Sequence, residues 1–192
     1  NVQVGTDAST NYSAVQAGTT LNGATNTAGN VTVNGSLTTA GASASTITVK
    51  ATDGNVKLTK AGDAQGVINS GADVSITASD TNEATPDVGD IAITGNVTGA
   101  TAVDIHTDQG NVQVGTGTTA ATLSAVQAGT SLNVATNTAG DVTVNGSLKT
   151  VVTNGSAPST ITVKATEGNV SLTAAGSGVT NVVESGADVS IT

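Results

Sequence analysis

The chain has 192 residues, a formal net charge of −9 and five lysines without any arginine, so it lacks the basic patch expected of a nucleic-acid-binding protein. Aromatic residues make up 1% of it and cysteine is absent, which excludes disulfides, thiolate metal sites and a core built on large rings. No apolar run approaches the roughly 20 residues that span a bilayer, and we expect no membrane insertion.

The apolar residues lie in short alternating runs, each preceded by a small residue and by Asn or Asp. In chain order these runs are GNVTVN at 29–34, GNVKLT at 54–59, ADVSIT at 72–77, GDIAIT at 89–94 and GNVSLT at 168–173. Alternation predicts a strand with Val, Ile or Leu on one side, and Gly with Asn or Asp supplies the turn before it. The side chains expected in the core are Val31, Val33, Val56, Leu58, Val74, Ile76, Ile91 and Ile93.

A longer repeat divides the chain into two modules. We expect residues 1–110 to form the first module, and residues 111–192 a second, incomplete module of the same continuous solenoid. Insertions between the copies fall in polar stretches, whereas the Val and Ile runs keep their register, as turns and strands should. The repeated strings are NVQVGT at 1–6 and 111–116, STITVKATDGNVKLT at 45–59, which becomes STITVKATEGNVSLT at 159–173, and SGADVSIT at 70–77 and 185–192.

The spacing of the short runs predicts the fold class. Val56, Val74 and Ile91 follow one another at nearly equal intervals along the chain. Short strands with a turn at every corner are typical of an all-β, right-handed parallel β-helix, also called a β-solenoid, and this spacing predicts coils of about 18–20 residues. One module would then contain about six coils. The alternative is a pair of tandem immunoglobulin-like sandwich modules, which use longer strands and usually a buried aromatic residue.

Three stretches resemble the repeats of filamentous haemagglutinin-like exoproteins, the large adhesins of bacterial two-partner secretion. They are DGNVKLTKAG at 53–62, VGDIAITGNVTG at 88–99 and DIHTDQGNVQVGT at 104–116. The resemblance implies a right-handed parallel β-helix at the cell surface with a role in adhesion or matrix formation. The secretion domain of that family has no counterpart here, so this chain resembles the shaft.

One acidic stretch interrupts the strand pattern. SDTNEATPDVGD at 79–90 contains Asp80, Glu83, Asp87 and Asp90 around a proline, which predicts a loop outside the strand ladder. Oxygen-rich loops bind Ca²⁺, but this spacing matches neither an EF-hand nor the Gly-Gly-x-Gly-x-Asp repeat. We expect a solvated turn and no cofactor, with these four carboxylates as the only Ca²⁺ candidates.

The residues point away from catalysis. His106 is the only histidine and is expected to be an exposed residue of a strand, and no Gly-x-Ser-x-Gly sequence occurs. A carbohydrate-active enzyme on a β-helix scaffold is the rival interpretation. Such an enzyme would combine acidic residues with basic or aromatic sugar-binding groups, of which this chain has few. We therefore expect no enzymatic activity.

Seven asparagines lie in Asn-x-Ser/Thr sequons and are candidates for glycosylation in a cell that has the enzyme. In a chain this rich in Asn, Ser and Thr, most are expected to serve as turn residues. They are Asn11, Asn30, Asn34, Asn96, Asn145, Asn154 and Asn169.

These observations together favour an extracellular structural or adhesive shaft of a large surface protein. We expect it to contact host or neighbouring cell surfaces, including their glycans, and to contribute to a filament or a biofilm matrix. The second module stops at Thr192, within the repeat unit. We therefore expect a longer repeat array that continues with a segment like 78–110, or end-to-end association with another subunit.

Overall fold

The structure is a computed structural model, and it shows an all-β solenoid. The described residues contain no helix long and apolar enough to cross a bilayer. All pairings between the strands that it describes are parallel, as the solenoid prediction requires. The described residues are 1–5, 13–17, 20–40, 45–60, 66–80, 89–116, 124–151, 159–173 and 182–192.

Each coil has three strands, which lie on three faces of the solenoid. A 12-stranded sheet forms two of these faces, because two long strands bend from one face onto the next. These long strands are β4 (Val31–Thr39) and β15 (Val142–Thr150). The first face contains their N-terminal halves with β1 (Val2–Val4), β6 (Val56–Thr59), β9 (Ile91–Thr94), β12 (Val112–Val114) and β17 (Val170–Thr173). The second face contains their C-terminal halves with β2 (Ser13–Ala17), β7 (Gly66–Ser70), β10 (Asn96–Gly99), β13 (Ser124–Ala128) and β18 (Val183–Glu184).

A separate 7-stranded sheet forms the third face, with one strand from each coil. Its inner strands alternate buried and outward side chains over most of their length. The order in the sheet follows the chain: β3 (Thr20–Ala28), β5 (Thr46–Thr52), β8 (Asp73–Ser79), β11 (Ala102–Gln109), β14 (Ser131–Ala139), β16 (Thr160–Ala165) and β19 (Val189–Ile191).

The bend in each long strand requires a glycine. Gly35 and Gly146 have φ angles of 146° and 150°, in the region that L-residues with a side chain rarely adopt. A Cβ atom at either position would lie 1.9 Å from a backbone oxygen, that of Ser13 or of Ser124. The two modules therefore use the same residue to make the same corner.

The predicted coil length of about 18–20 residues is wrong, because the coils are longer than the strand spacing suggested. On the third face Asp104 pairs with Asn133, and these stacked positions are 29 residues apart. On the first face Val56 pairs with Ile91, and the residues before them, Asn55 and Asp90, are 35 residues apart. The interval from Val56 to Val74 leads from the first face past the second to the third, and a full coil also includes the rest of the third-face strand and the corner back to the first face.

The eight predicted core residues are all buried, each with no more than 2% of its surface exposed. Their pairings place them in continuous apolar columns through the solenoid. Because stacked strands lie about 4.8 Å apart, small branched side chains fill each column without an aromatic ring. One first-face column contains Val2, Val31, Val56, Ile91, Val112, Val142 and Val170.

The two sequence modules occupy equivalent strands. β1, β2 and β3 correspond to β12, β13 and β14, and each pair is separated by four steps through its face. The expected shift of about six coils is therefore wrong, and four coils correspond to an axial distance of about 19 Å. The sheets continue without a break from β9 and β11 into β12 and β14, across the boundary between residues 110 and 111.

Candidate binding surface and polar ladders

Outward side chains on the third face form columns, because the strands there pair in register up to Ala24 in β3 and Thr107 in β11, after which two pairings shift. The alternation that buries one set of residues directs the intervening set to solvent. One outward column consists of amides, hydroxyls and a carboxylate: Asn22, Thr48, Ser75, Asp104, Asn133, Thr162 and Ser190. The next column contains the basic groups of this face, Lys50, His106 and Lys164, together with Ala24, Thr77 and Ala135, of which Ala135 is buried.

Asp104 is the polar centre of this face. Its Oδ1 atom accepts a 2.7 Å hydrogen bond from Nδ2 of Asn133, one coil away. Its Oδ2 atom lies 3.0 Å from Nδ1 of His106, two residues along the same strand. The side chains of His106 and Asp104 are 25% and 42% exposed, so this hydrogen-bonded group remains open to solvent.

The contacts of Asp104 and His106 shift both pKa values. The hydrogen bond to Asp104 raises the pKa of His106, against a smaller opposing effect of burial, and the negative charges of Asp104 and Asp108 act in the same direction as the hydrogen bond. Burial by itself would raise the pKa of Asp104, but the hydrogen bonds from His106 and Asn133, with the charge of His106, lower it overall. The arrangement therefore favours an imidazolium–carboxylate pair.

His106 was predicted as an exposed strand residue; it lies in β11 as predicted but is only partly exposed, and its partner was missed. The signal was present, because residues i and i+2 of a strand lie on the same side. Asp104 and His106 have this spacing in VDIHT. Asn133 could be found only by knowing which strands stack, since it is 29 residues away from Asp104.

A second ladder runs along the corner between the third and first faces, and we call it the Asx ladder. In each coil the backbone N–H of its Asn or Asp donates to the side-chain Oδ1 atom of the preceding member, at 2.7–2.9 Å. This ladder explains why Asn or Asp precedes the apolar runs of the first face, whereas Asp73 in ADVSIT lies on the third face and accepts from the backbone N–H of Ala102 at 3.1 Å. Its members are Asn1, Asn30, Asn55, Asp90, Asn111, Asp141 and Asn169.

Buried and partly buried hydroxyl groups close the corner between the second and third faces, and the two modules do this alike. Oγ1 of Thr39 donates to Oγ of Ser45 at 3.0 Å, and Oγ of Ser70 donates to the backbone oxygen of Ser45 at 3.1 Å. In the second module Thr150, Ser159 and Ser185 make the corresponding bonds at 2.9 Å. These hydroxyls satisfy backbone and side-chain groups within the wall and serve the fold.

The four Ca²⁺ candidates are only partly described. Glu83 and Asp87 lie outside the described residues. Asp90 belongs to the Asx ladder, where its Oδ1 atom accepts from the backbone N–H of Asn111 at 2.7 Å and from its Nδ2 atom at 3.2 Å. Within the described ranges no group of three or more metal-ligating side chains comes together. The Ca²⁺ hypothesis stays a prediction.

The described sequons differ in accessibility. Asn34 is buried, and its Nδ2 atom and that of Asn145 donate to backbone oxygens in the wall. Asn96 accepts a hydrogen bond from the backbone N–H of Ala125 at 2.9 Å. Asn30 and Asn169 are exposed at the Asx corner, although Nδ2 of Asn169 donates to Asp141. A glycan needs an accessible Nδ2 atom, which favours Asn30. Asn11 and Asn154 lie outside the described residues.

Comparison with known proteins gave no match: no family model, no curated protein and no solved structure is significantly similar to this chain.

Proposed function

We propose that this chain is a structural and adhesive shaft on the outside of a bacterial cell, part of a large surface protein or matrix filament. The observation that supports it most is the in-register continuation of all three faces from the first module into the second. Repeating the module adds about 19 Å of length and leaves the cross-section unchanged. The main requirement of a shaft is length, so this way of extending the solenoid favours the proposed role.

The wall has the properties of a durable rod. Inner strands have backbone hydrogen-bonding partners in the coils on both sides, so a protease must first open the wall to bind an extended segment. The three strands of each coil enclose an apolar interior of Val, Ile and Leu, and the Asx ladder joins coil to coil at one corner. Such contacts form between neighbouring coils, so stability rises with the number of coils.

The third face is the proposed adhesive surface. It presents an outward column of amide, hydroxyl and carboxylate groups along the whole described length, and beside it a second column that carries Lys50, Thr77, His106 and Lys164. Each group forms only a weak contact with a polar partner such as a cell-surface glycan. A repeated array of such contacts gains strength from multivalency, because each further contact is intramolecular once the first has formed.

A bead-adhesion assay tests this function. Beads coated with the chain should bind glycan-bearing cells, and binding should rise steeply with coating density. The double variant Asp104→Ala/Asn133→Ala should weaken binding, whereas Gln113→Ala, an outward substitution on the first face, should leave it unchanged. Absence of binding at every density would refute the adhesive role.

The same preparation tests the rival enzymatic function. The Asp104–His106 pair is the described arrangement on which a carbohydrate-active enzyme would most naturally rest. Incubation with a panel of acidic and neutral polysaccharides should release no new reducing ends or unsaturated products. Release that disappears in His106→Gln would replace the proposed function with catalysis.

A further inference from the structure

The basic residues of the third face recur at every second coil. In the column that contains His106, Lys50 lies two strands earlier in the sheet and Lys164 two strands later. The strands between them place Thr77 and Ala135 in this column, and both residues are small and uncharged. Because stacked strands lie about 4.8 Å apart, the three basic residues lie about 9.6 Å apart on a line parallel to the solenoid axis.

The two lysines of this column carry charges that an external anion can contact. Lys50 and Lys164 are exposed, and within the described ranges neither forms an ion pair. The strands of this face contain three carboxylates, and each of them accepts a hydrogen bond from within the chain. Asp73 lies two outward columns away from the basic residues and accepts from a backbone N–H at 3.1 Å, whereas Asp108 lies in the column beside them and accepts from an amide at 3.2 Å. The carboxylates of this face therefore leave both ammonium groups available to a ligand.

His106 supplies the middle basic group of the column. Its Nδ1 atom lies 3.0 Å from Asp104, so Nε2 is the ring nitrogen that faces away from this contact, and no described residue forms a hydrogen bond with it. The hydrogen bond to Asp104 raises the pKa of His106, and the protonated ring donates at both nitrogens. The other charged groups that act on the ring are Asp108 on its own strand and Lys50 on β5, and β14 has no charged residue. The carboxylate of Asp104 offsets the charge of the ring, but the Nε2–H donor remains for an external acceptor.

We propose that the third face binds a linear acidic polysaccharide that has one carboxylate for every two sugars and lies along the solenoid axis. An extended polysaccharide chain advances by nearly one strand spacing per sugar. Its carboxylates therefore meet the three basic residues, and its uncharged sugars meet the small residues between them. The strands of a nucleic acid do not match this interval, because each carries a phosphate about every 3.4 Å along a duplex. This inference rests on the proposed adhesive function and names the class of glycan that the third face binds.

The single histidine provides a direct measurement of this binding. His106 is the only histidine of the chain, so its ring signals in nuclear magnetic resonance spectra report both ligand contact and protonation of the ring. Hyaluronan oligosaccharides, which have a uronate at alternate sugars, are the probe. The hexasaccharide, with three uronates, should shift the ring signals until they saturate and should raise the pKa of His106 further, because a bound carboxylate favours the protonated ring. The tetrasaccharide, with two uronates, should bind roughly two- to fivefold more weakly, because one exposed ionic contact is lost.

Neutral substitutions of the lysines test the position of the ligand. Lys50→Gln and Lys164→Gln should each weaken binding of the hexasaccharide roughly two- to fivefold. Lys57→Gln is the matched control, because it removes the same charge from an exposed position on the first face, and it should leave binding unchanged. Circular dichroism melting confirms that each variant is folded. Equal weakening by all three substitutions would show that only the total charge matters and would overturn the proposal.

Two other polyanions test the spacing of the charges. A galacturonate hexasaccharide has a carboxylate on every sugar, and it should bind more weakly than the hyaluronan hexasaccharide because half of its carboxylates lie beside uncharged residues. Duplex DNA should not displace hyaluronan. The proposal is wrong if either polyanion binds more tightly than hyaluronan, or if hyaluronan leaves the signals of His106 unchanged at every concentration. Binding of beads to cells without binding of hyaluronan refutes this inference alone, whereas binding of hyaluronan without binding of beads to cells refutes the adhesive role alone.

Discussion

The backbone N–H of Asn111 donates a 2.7 Å hydrogen bond to the Oδ1 atom of Asp90, which lies 21 residues earlier and one coil away. Asn111 in turn accepts at its own Oδ1 atom from the backbone N–H of Asp141, at 2.9 Å. A residue type that first suggested only a turn thus joins successive coils. Asn and Asp serve equally in this position because both supply the required side-chain oxygen.

Removing one oxygen from the Asx ladder should destabilise the solenoid. In Asn30→Ala the backbone N–H of Asn55 loses its acceptor, which lies at 2.8 Å, and we expect a loss of about 1 kcal/mol in the free energy of unfolding. Asn30→Asp is the matched control, since it keeps the acceptor and both ladder neighbours of Asn30 have uncharged side chains. Chemical denaturation measures the free energy of unfolding of both variants. Equal stability of Asn30→Ala and the unmodified chain would contradict a stabilising role of the Asx ladder.

The glycine bend of the long strands should not tolerate a side chain. Gly146→Ala would place a Cβ atom 1.9 Å from the backbone oxygen of Ser124 at a φ of 150°, and we expect a loss of about 2 kcal/mol or more. Gly23→Ala is the control, because its φ is ordinary and space is open around it. It should be neutral or stabilise by about 0.4–1 kcal/mol. The melting temperatures of the two variants are compared with that of the unmodified chain. A similar decrease in both would show that the bend is not the cause of the destabilisation.

A charge in an apolar column should be severely destabilising. Val56 is 1% exposed, and Val56→Asp would bury a carboxylate without a partner, so we expect a loss of about 3 kcal/mol or more. Lys57→Asp changes the adjacent outward residue and should have little effect. A melting temperature unchanged in Val56→Asp would contradict the burial of this column.

The core could be predicted from the sequence because alternation within a strand is a local property. GNVKLT buries Val56 and Leu58 whatever the strand pairs with, since both residues lie on one side. The coil length could not be predicted, because it depends on which strands stack. Val74 lies in a strand as regular as that of Val56, yet it belongs to a different face. Because the runs of the first and third faces carry the same pattern, each resembles a new coil, and the coil is therefore counted too short.

The Asp104–His106 pair should make stability depend on pH. The pKa of His106 is raised above its ordinary 6.5, so its contribution is complete below that pH and is lost as pH rises through the folded-state value. The pKa of Asp104 is lowered from 3.8, so its contribution is present above that pH and is lost on acidification. The pair therefore contributes most to the stability of the folded chain at pH values between 3.8 and 6.5.

Melting temperatures of the unmodified chain and of His106→Gln, measured across pH 4 to 9, check this dependence. The advantage of the unmodified chain should be largest in the acidic part of the range above the pKa of Asp104, and should shrink as pH rises above 6.5. The other charged groups near His106, namely Asp108 and Lys50, are kept in both proteins. A difference that grows towards alkaline pH would show the opposite sign and contradict the assignment.

Calcium should not stabilise the chain. Asp90 uses its Oδ1 atom in the Asx ladder, so we expect neither added Ca²⁺ nor a chelator to change the melting temperature. Asp90→Asn keeps the ladder oxygen and removes the charge, and it should likewise show no calcium response. A calcium-dependent rise in the melting temperature that disappears in Asp87→Asn would establish a metal site in the acidic stretch at 79–90.

The central claim is that the two modules are stacked as one solenoid, four coils apart, and a distance between equivalent residues tests it most directly. The chain has no cysteine, so spin labels can be attached at Thr48→Cys with Thr162→Cys, and at Thr48→Cys with Ser190→Cys. All three positions lie in one outward column, four and five strand pairings apart. Pulsed electron paramagnetic resonance should give distances of about 19 Å and about 24 Å, which differ by one strand spacing. A first distance of about 29 Å or longer, as six coils would give, or two distances that do not differ by one strand spacing, would contradict the stacked four-coil repeat.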